Sequence, residues 1–564
     1  MSARPSPSFA ELFTPKLITV LREGYGGRQF AQDAIAGLTV AIVALPLSMA
    51  IAIASGAKPE TGLYTAIVGG FIISALGGSR FQIGGPAGAF IVLVAATIEK
   101  HGYQGFLLAT IMAGVMLLAI GYLRLGAYIK YIPHPVTVGF TAGIAVIIFA
   151  SQLRELFGLT MTAEPAALLP KLAALWAAAG TVNPVAVAVA ACSLALILGL
   201  RAWRPRWPGL LLAVALGALA VYALDLRVET IGTRFGGVPG SLPAPAWPAV
   251  PASMFFEVLP AAAAIALLGG VESLLSAVVA DGMTGRRHRS NCELVAQGYA
   301  NIASALFGGL CATGTIARTA TNVRANAFGP VSGMLHAVFL LAFMLLAAPL
   351  ASYIPLATLA AVLAIVSWNM AEKAEFARLL RQDRGEAAVL LVTFLLTVFR
   401  DLTEGIAAGV TLGAIVFMHR MAEAVQVTDH SDLVPEDMPD DVGAARRPYE
   451  GAANEVVVYR ISGPFFFGAA SSVAQTLQRI GRSPKAFVLD FAAVPLVDAT
   501  AAREIESLAH GLARSGVRVW VAGASAPVRR SLLTHGLTRK LVGYAADVDS
   551  ARRRALSGEA GPAD

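Results

Sequence analysis

Two charged residues stand inside otherwise apolar stretches of this 564-residue chain. Glu272 lies in Gly269-Gly270-Val271-Glu272-Ser273-Leu274-Leu275-Ser276, and Arg318 lies in Thr315-Ile316-Ala317-Arg318-Thr319. A charge at the centre of a lipid-embedded helix costs about 2.5–3.5 kcal/mol on insertion scales, so each is a functional candidate by default. Their opposite signs suggest a pair, serving either as a working site with Ser276 beside it or as a lock on helix packing. Two stretches suited to starting a helix in mid-membrane accompany them. Gly84-Gly85-Pro86-Ala87-Gly88 opens the apolar window 86–98, and Gly314-Thr315 opens the window 316–327. A helix crossing alone needs ~20 residues, and both windows are shorter. A half-helix points roughly +0.5 charge of macrodipole and several free N–H groups into the interior. Pro86 suits a first helical position, and Gly85 and Gly88 allow close approach of a ligand. Thr315 and Thr319 add hydroxyl donors. Two such ends facing each other, with Arg318, make a desolvated anion site. Close helix packing is the plainer use of each glycine cluster, but the coincidence of two clusters with an arginine favours the site.

The elements that must position these residues are apolar helices. Hydrophobic residues make up 56% of the chain and charged residues 14%, against about 25% charged in soluble domains. That excludes a cytosolic enzyme and a disordered polypeptide. Apolar windows run from about 34 to 418, at 34–54, 62–78, 86–98, 105–123, 132–151, 183–200, 208–224, 258–280, 295–310, 316–327, 330–350, 354–370, 386–400 and 403–418. With the N-terminus inside, the inner loops carry Arg80, Arg124, Lys130, Arg201, Arg204, Arg206, Arg286, Arg287, Arg289, Lys373, Arg378, Arg381 and Arg384. The outer loops mix both signs, which is positive-inside behaviour. The net charge of +7 therefore reads as topology, and no nucleic-acid partner is expected. The windows divide into seven and seven, with the short ones third in each half. Matched interrupted segments point to inverted repeats around a midplane site.

Residues 1–33 are polar and amphipathic, with Arg4 among their basic residues, and lack the features of a signal peptide. Residues 421–453 read as a linker, 454–555 as a soluble α/β domain on the cytoplasmic side, and 556–564 as a tail. In that domain Glu455–Ser462, Ala486–Phe491 and Val517–Ala522 read as strands, and Ala501–Ala513 and Pro527–Gly536 as helices. Cys192, Cys292 and Cys311 have no metal-ligand or disulfide spacing. His134 reads as an interfacial loop residue and His288 as a solvated one. Nucleotide-loop, metalloprotease and nucleophile-elbow motifs are all missing from the sequence, so neither catalysis nor a cofactor is expected.

The segments Ala41–Ser55, Tyr131–Gly143, Gly232–Pro239, Ile265–Gly309 and Ala312–Gly333 resemble the sulfate permease family of anion transporters, over about residues 30–555. In GGVESLLSAVVADGMTGRRHRSNCELVAQGYANI and TIARTATNVRA the chain is similar to the family's bacterial proton-coupled C4-dicarboxylate carriers. The resemblance implies a polytopic helical membrane protein of fourteen segments in a 7+7 inverted repeat, with core and gate domains and often a homodimer. It implies an anion site at Pro86, Ala87 and Gly88 on one side and Ile316, Ala317 and Arg318 on the other, with Glu272 as coupling carboxylate. Ala317 stands where several relatives carry a hydroxyl, and Leu47 where some carry a polar residue. Glutamate rather than aspartate at 272 favours protons over sodium as the coupling ion.

The C-terminal region resembles a STAS domain. Asp498-Ala499-Thr500 matches its Asp-Ser-Ser motif except at Ala499, so helix capping is the expected role of Asp498 or Thr500 rather than phosphorylation at Thr500. A cytoplasmic protein partner through this domain is consistent with the resemblance. The expected protein is a multi-pass transporter of the bacterial inner membrane, both termini cytoplasmic, moving small dianions with protons by an elevator-type mechanism. A sodium-coupled bicarbonate carrier, an uncoupled channel and an anion-sensing receptor are the rival readings.

Overall fold

The computed structural model describes residues 8–126, 133–161, 165, 167–204, 207–400, 402–429, 456–466 and 485–557. Arg4, Lys130, Tyr131, Arg206, most of the 421–453 stretch and the end of the 556–564 tail lie outside them. Two compact units emerge, Met1–Thr411 and Leu412–Asp564.

The first unit is helical. Its long elements are α1 (Gly27–Ala54), α2 (Pro59–Leu76), α3 (Ile91–Tyr122), α4 (His134–Phe157), α5 (Pro184–Trp203), α6 (Gly209–Leu224) and α7 (Leu259–Thr284). Then come α8 (Ser290–Leu306), α9 (Ile316–Arg324), α10 (Val331–Ala351), α11 (Leu356–Met370), α12 (Lys373–Gln382), α13 (Arg384–Phe399) and α14 (Leu402–Glu423). Among the described residues, nine helical stretches are long and apolar enough to cross a membrane. Every apolar window of the sequence coincides with a helix. The third and fourth windows join in α3, broken only at Gly102, whose φ of 69° and ψ of 172° interrupt the helix. Local chemistry sets several starts. Asn183 caps α5 by accepting from the amides of Val185 and Ala186, with Pro184 next in the chain. Asp383 caps α13 by accepting from the Glu386 amide at 3.0 Å. Several elements were not foreseen, two of them in the stretches between windows. Leu168–Ala177 is a short apolar helix, and α12 is too amphipathic to resemble a span.

Small residues let the helices close on each other. A Cβ on Gly114 of α3 would sit 2.7 Å from the Gly298 carbonyl oxygen of α8, and a Cβ on Gly298 would sit 2.7 Å from that of Gly114. Backbone-to-backbone contact of this kind is how helices associate without a hydrophobic drive between them. Deep in the unit, β1 (Gly84–Gly85) pairs antiparallel with β2 (Thr313–Gly314), joining Gly84 to Gly314 and Gly85 to Thr313. These strands precede the third window of each half. Their opposite directions are those an inverted repeat requires.

The second unit holds a five-stranded sheet in the order β3 (Gln426–Asp429), β4 (Val456–Ser462), β5 (Ala486–Ala493), β6 (Arg518–Ala522) and β7 (Val542–Ala545). β3 is antiparallel and the other pairings are parallel. Parallel neighbours need crossovers, supplied in part by α15 (Ala499–Arg514) and α16 (Ala526–Thr534); α17 (Val548–Ser557) follows β7. Phe487, Leu489 and Phe491 pack on one face with Ile505 and Leu532, while Val488 and Trp520 pack on the other with Ala551. β5 is central and buried on both faces, so it lacks alternation. The expected linker 421–453 is corrected by this sheet. Its residues 421–423 still belong to α14, and Gln426–Asp429 form the edge strand. Four residues of mixed polarity give no period to read, and their partner β4 lies far along the chain.

Candidate functional site

The site is built on the crossing of β1 and β2. The Thr315 amide donates to the Ile83 carbonyl at 3.0 Å, and the Thr315 hydroxyl donates to the same oxygen at 3.3 Å. The Ile83 amide donates to Thr319 Oγ1 at 3.1 Å, and Ser276 Oγ donates to it at 3.0 Å. Thr315 and Thr319, read from sequence as donors to a ligand, thus carry bonds that fix the strand crossing. Ser276 ties α7 to it.

Arg318 lies in the first turn of α9, 2% exposed. Its Nη2 donates to Ser48 Oγ of α1 at 3.1 Å and to the Pro86 carbonyl at 3.3 Å. Its Nε and Nη1 have no hydrogen-bond partner, and no carboxylate of the described residues lies within 4.0 Å of it. Gly85 is required by this approach, because a Cβ there would sit 2.3 Å from Arg318 Nη1. The amides of Ile316, Ala317 and Arg318 precede the first intrahelical bond of α9, which runs from the Thr319 amide to the Thr315 carbonyl. Ile316 and Ala317 are exposed while Thr315 and Arg318 are buried, so the turn opens on one side. Two residues after Pro86, whose carbonyl Arg318 bonds, the short turn Gly88–Phe90 leads into α3. A Cβ on Gly88 would be 3.8 Å from both Ile148 Cδ1 of α4 and Met370 Sδ of α11. The Gly88 turn therefore lies against α4 and α11.

Two expectations are corrected here. Pro86 is not the first helical residue. Ala87 is extended, with φ of −115° and ψ of 145°, and the helical turn begins at Gly88. The pairing of Gly85 in β1 and the hydrogen bond from Arg318 to the Pro86 carbonyl keep this stretch extended. Glu272 and Arg318 do not pair. Glu272 is half-buried on α7, four residues before Ser276 and so on the same face. It makes no ion pair within 4.0 Å and no hydrogen bond among the described residues. Opposite charges on separate helices do not by themselves fix a distance.

A buried carboxylate went unnoticed in the sequence. Glu293 of α8 is fully buried and accepts from the Ser79 amide at 3.0 Å, Gln82 Nε2 at 3.0 Å and Gln297 Nε2 at 2.9 Å. Gln82 Nε2 also reaches Ser273 Oγ at 2.7 Å. Two turns along α8, Asn301 donates to the Ala312 carbonyl at 2.8 Å and accepts from its amide at 2.9 Å. Glu293, Gln297 and Asn301 form a polar stripe spaced by four, which holds the segments leading into both strands. That spacing was the available signal.

Other candidates lie apart. Asp498 caps α15, its side chain accepting from the Ala501 amide at 2.8 Å, and Thr500 is exposed in the first turn. His134 opens α4 and pairs with Glu375 of α12 at 2.9 Å. His288 is not simply solvated, since its Nδ1 lies 2.7 Å from Asp281. Arg80 bonds Glu23 at 2.6 Å and the Phe328 carbonyl at 2.9 Å. This bond holds the Glu23 carboxyl below the usual glutamate range. Among the described residues no group of three or more histidine, cysteine, aspartate or glutamate side chains is placed to hold a metal.

Comparison with known proteins identifies the family. The Sulfate permease family profile matches residues 30–393, and the STAS domain profile matches 451–551. A Bacillus subtilis (strain 168) protein named "Putative sulfate transporter YvdB" is 40% identical over 524 residues, covering 92% of this chain and 96% of its own. A bicarbonate transporter, BicA of Synechocystis sp., is 31% identical over 523 residues, with 90% of each chain covered. The solved structure of murine Solute Carrier 26 family member A9, an anion transporter in its inward-facing state, shares the fold. Its TM-score is 0.85 at 16% identity, with 99% of this chain and 96% of that one covered. The transmembrane domain of a cyanobacterial BicA superposes with a TM-score of 0.61 at 32% identity, covering 68% of this chain and 98% of its own. The chain belongs to the sulfate permease family, as a multi-pass anion transporter with a C-terminal STAS domain.

Proposed function

We propose that this transporter carries a small dianion into the cell together with protons, binding it at Arg318 between the two helix starts. The observation that supports this is the unpaired guanidinium. A buried cation without a counterion is several kcal/mol unfavourable, and here two of its donors have no acceptor while the amides of Ile316, Ala317 and Arg318 open the same turn. An oxyanion satisfies all of these at once. Sulfate-like inorganic anions and C4-dicarboxylates both have the required chemistry. A bicarbonate carrier, coupled to sodium, is the second reading, favoured by the likeness to BicA.

Glu272 carries the coupling proton in this proposal. An anion arriving at Arg318 adds negative charge near a half-buried carboxylate, which disfavours its ionised form. Proton and anion uptake are then linked, and by reciprocity acid tightens anion binding. The packing of the Gly88 turn against α4 and α11 suits an elevator motion, in which the strand crossing slides against those helices. We place the protein in the bacterial inner membrane as a homodimer, termini cytoplasmic. The exposed first turn of α15 would receive a cytoplasmic protein.

Proteoliposomes holding an internal pH dye, offered sulfate, succinate, fumarate and bicarbonate, test the reading. Saturable uptake of one dianion with internal acidification supports it. Sodium-dependent bicarbonate uptake without acidification selects the second reading, and non-saturating current without proton flux would make the protein a channel.

A further inference from the structure

His336 of α10 is fully buried, and neither ring nitrogen has a hydrogen-bond partner. Native proteins rarely leave such a group without a reason, and an ionisable residue at this depth is functional by default. Its surroundings link it to the anion site. A Cβ on Gly70 of α2 would be 4.0 Å from His336 Nδ1 and 2.8 Å from the Gly84 carbonyl oxygen of β1. The next residue of β1, Gly85, is the one Arg318 approaches. The π-helical turn Thr65–Gly69 ends against this point, and such turns frequently mark functional positions.

A polar seam begins one turn away from His336. One turn before it on α10, Ser332 Oγ accepts from Asn322 Nδ2 at 2.9 Å and donates to the Gly329 carbonyl at 2.8 Å. Asn322 Nδ2 also donates to the Phe81 carbonyl at 2.9 Å. Ser74 Oγ is buried with no partner and lies 2.2 Å from where a Cβ on Gly333 would be. The Gly329 amide donates to Asp33 at 3.0 Å, and Tyr25 donates to Asp33 at 2.9 Å. The helices packed on α10 contribute few titratable groups. They are Arg28 and Asp33 near the start of α1, and Glu60 and Tyr64 in the first turns of α2, with Asp33 already engaged by amides. Arg318 is the cation that reaches β1.

We propose that His336 is a second proton-binding residue of the carrier, loaded when an anion neutralises Arg318 and emptied toward the inner surface along the Ser332–Asn322 seam. This rests on the anion-carrier reading and adds to it. An imidazolium on one side of β1 is opposed by the like charge of a guanidinium that reaches the same strand, and an anion on the guanidinium removes the opposition. A dianion would then travel with two protons, one on Glu272 and one on His336.

The test is calorimetry of sulfate, succinate and bicarbonate binding to the full-length protein, in buffers of different ionisation enthalpy, which gives protons taken up per anion. His336→Gln is expected to take up about one proton fewer than wild type while still binding, and Glu272→Gln to lose the other. In wild-type protein with labelled imidazole nitrogens, anion addition is expected to move the His336 resonances to their protonated positions, which tests the idea even if the variant misfolds. Normal binding with an unchanged proton count, or unmoved resonances, overturns the role of His336 alone. No binding of any of the three anions by wild type overturns the anion-carrier reading itself, and this proposal with it.

Discussion

Ser48 Oγ accepts a hydrogen bond from Arg318 Nη2 at 3.1 Å, joining α1 to the first turn of α9. This contact and the Pro86 carbonyl aim the guanidinium, leaving Nε and Nη1 open. Ser48→Ala is expected to weaken anion binding by roughly 10-fold, since a hydrogen bond to a charged group contributes about 1.5–3 kcal/mol. Calorimetry on the solubilised variant measures it, and wild-type affinity would show that Ser48 does not aim the arginine.

Gly85→Ala places a Cβ 2.3 Å from Arg318 Nη1 in a β strand already paired with β2. The guanidinium has to move, because the paired backbone cannot. Anion binding is expected to fall by more than about 10-fold, the loss of one charge-assisted contact, while the variant still inserts and elutes as an intact species. Unchanged binding would mean the guanidinium has room that the packing denies it.

Glu23 gives a pH prediction outside the membrane. Its carboxyl is held below the usual range by Arg80, so the bond contributes fully above the unfolded value near about 4.3. The contribution is lost as pH falls through the lower folded value. Proteolysis of the N-terminal segment is therefore expected to quicken only at strongly acidic pH, and Glu23→Gln should be susceptible at neutral pH. A pH-independent cleavage rate in wild type, or protection of the variant, would count against the bond.

Removing the STAS domain is expected to leave the substrate ranking unchanged, because every residue of the proposed anion site lies before Asn326. The cut belongs before β3, at about residue 425, rather than in the linker expected from composition. Competition among sulfate, succinate and bicarbonate in proteoliposomes reads the ranking. A reordering would assign the domain a part in selectivity.

The helices were legible because each must be apolar over the thickness of a bilayer, and that leaves a mark of many residues. Arg318 and the two glycine-rich starts were legible as violations of the same rule. Ser48 was not, since a serine in an apolar helix is common and its meaning depends on an arginine far away in the chain. Glu293 was hidden in the reverse way, its charge lying near a basic loop where charges are ordinary, although its stripe with Gln297 and Asn301 was visible. The Glu272–Arg318 pair failed because proximity cannot be read from charge sign. β3 and β7 escaped because four-residue strands carry too little periodicity, and their partners were not knowable from local pattern.

The central claim is that Arg318 binds the anion. Calorimetric titration of the transported anion into wild type, Arg318→Lys and Arg318→Ala tests it most directly. The alanine variant is expected to lose roughly 10–150-fold in affinity, the equivalent of one charge-assisted contact of about 1.5–3 kcal/mol. The lysine variant should fall between, because a point charge replaces a fork of donors. Wild-type affinity in the alanine variant would place the anion elsewhere and contradict the account.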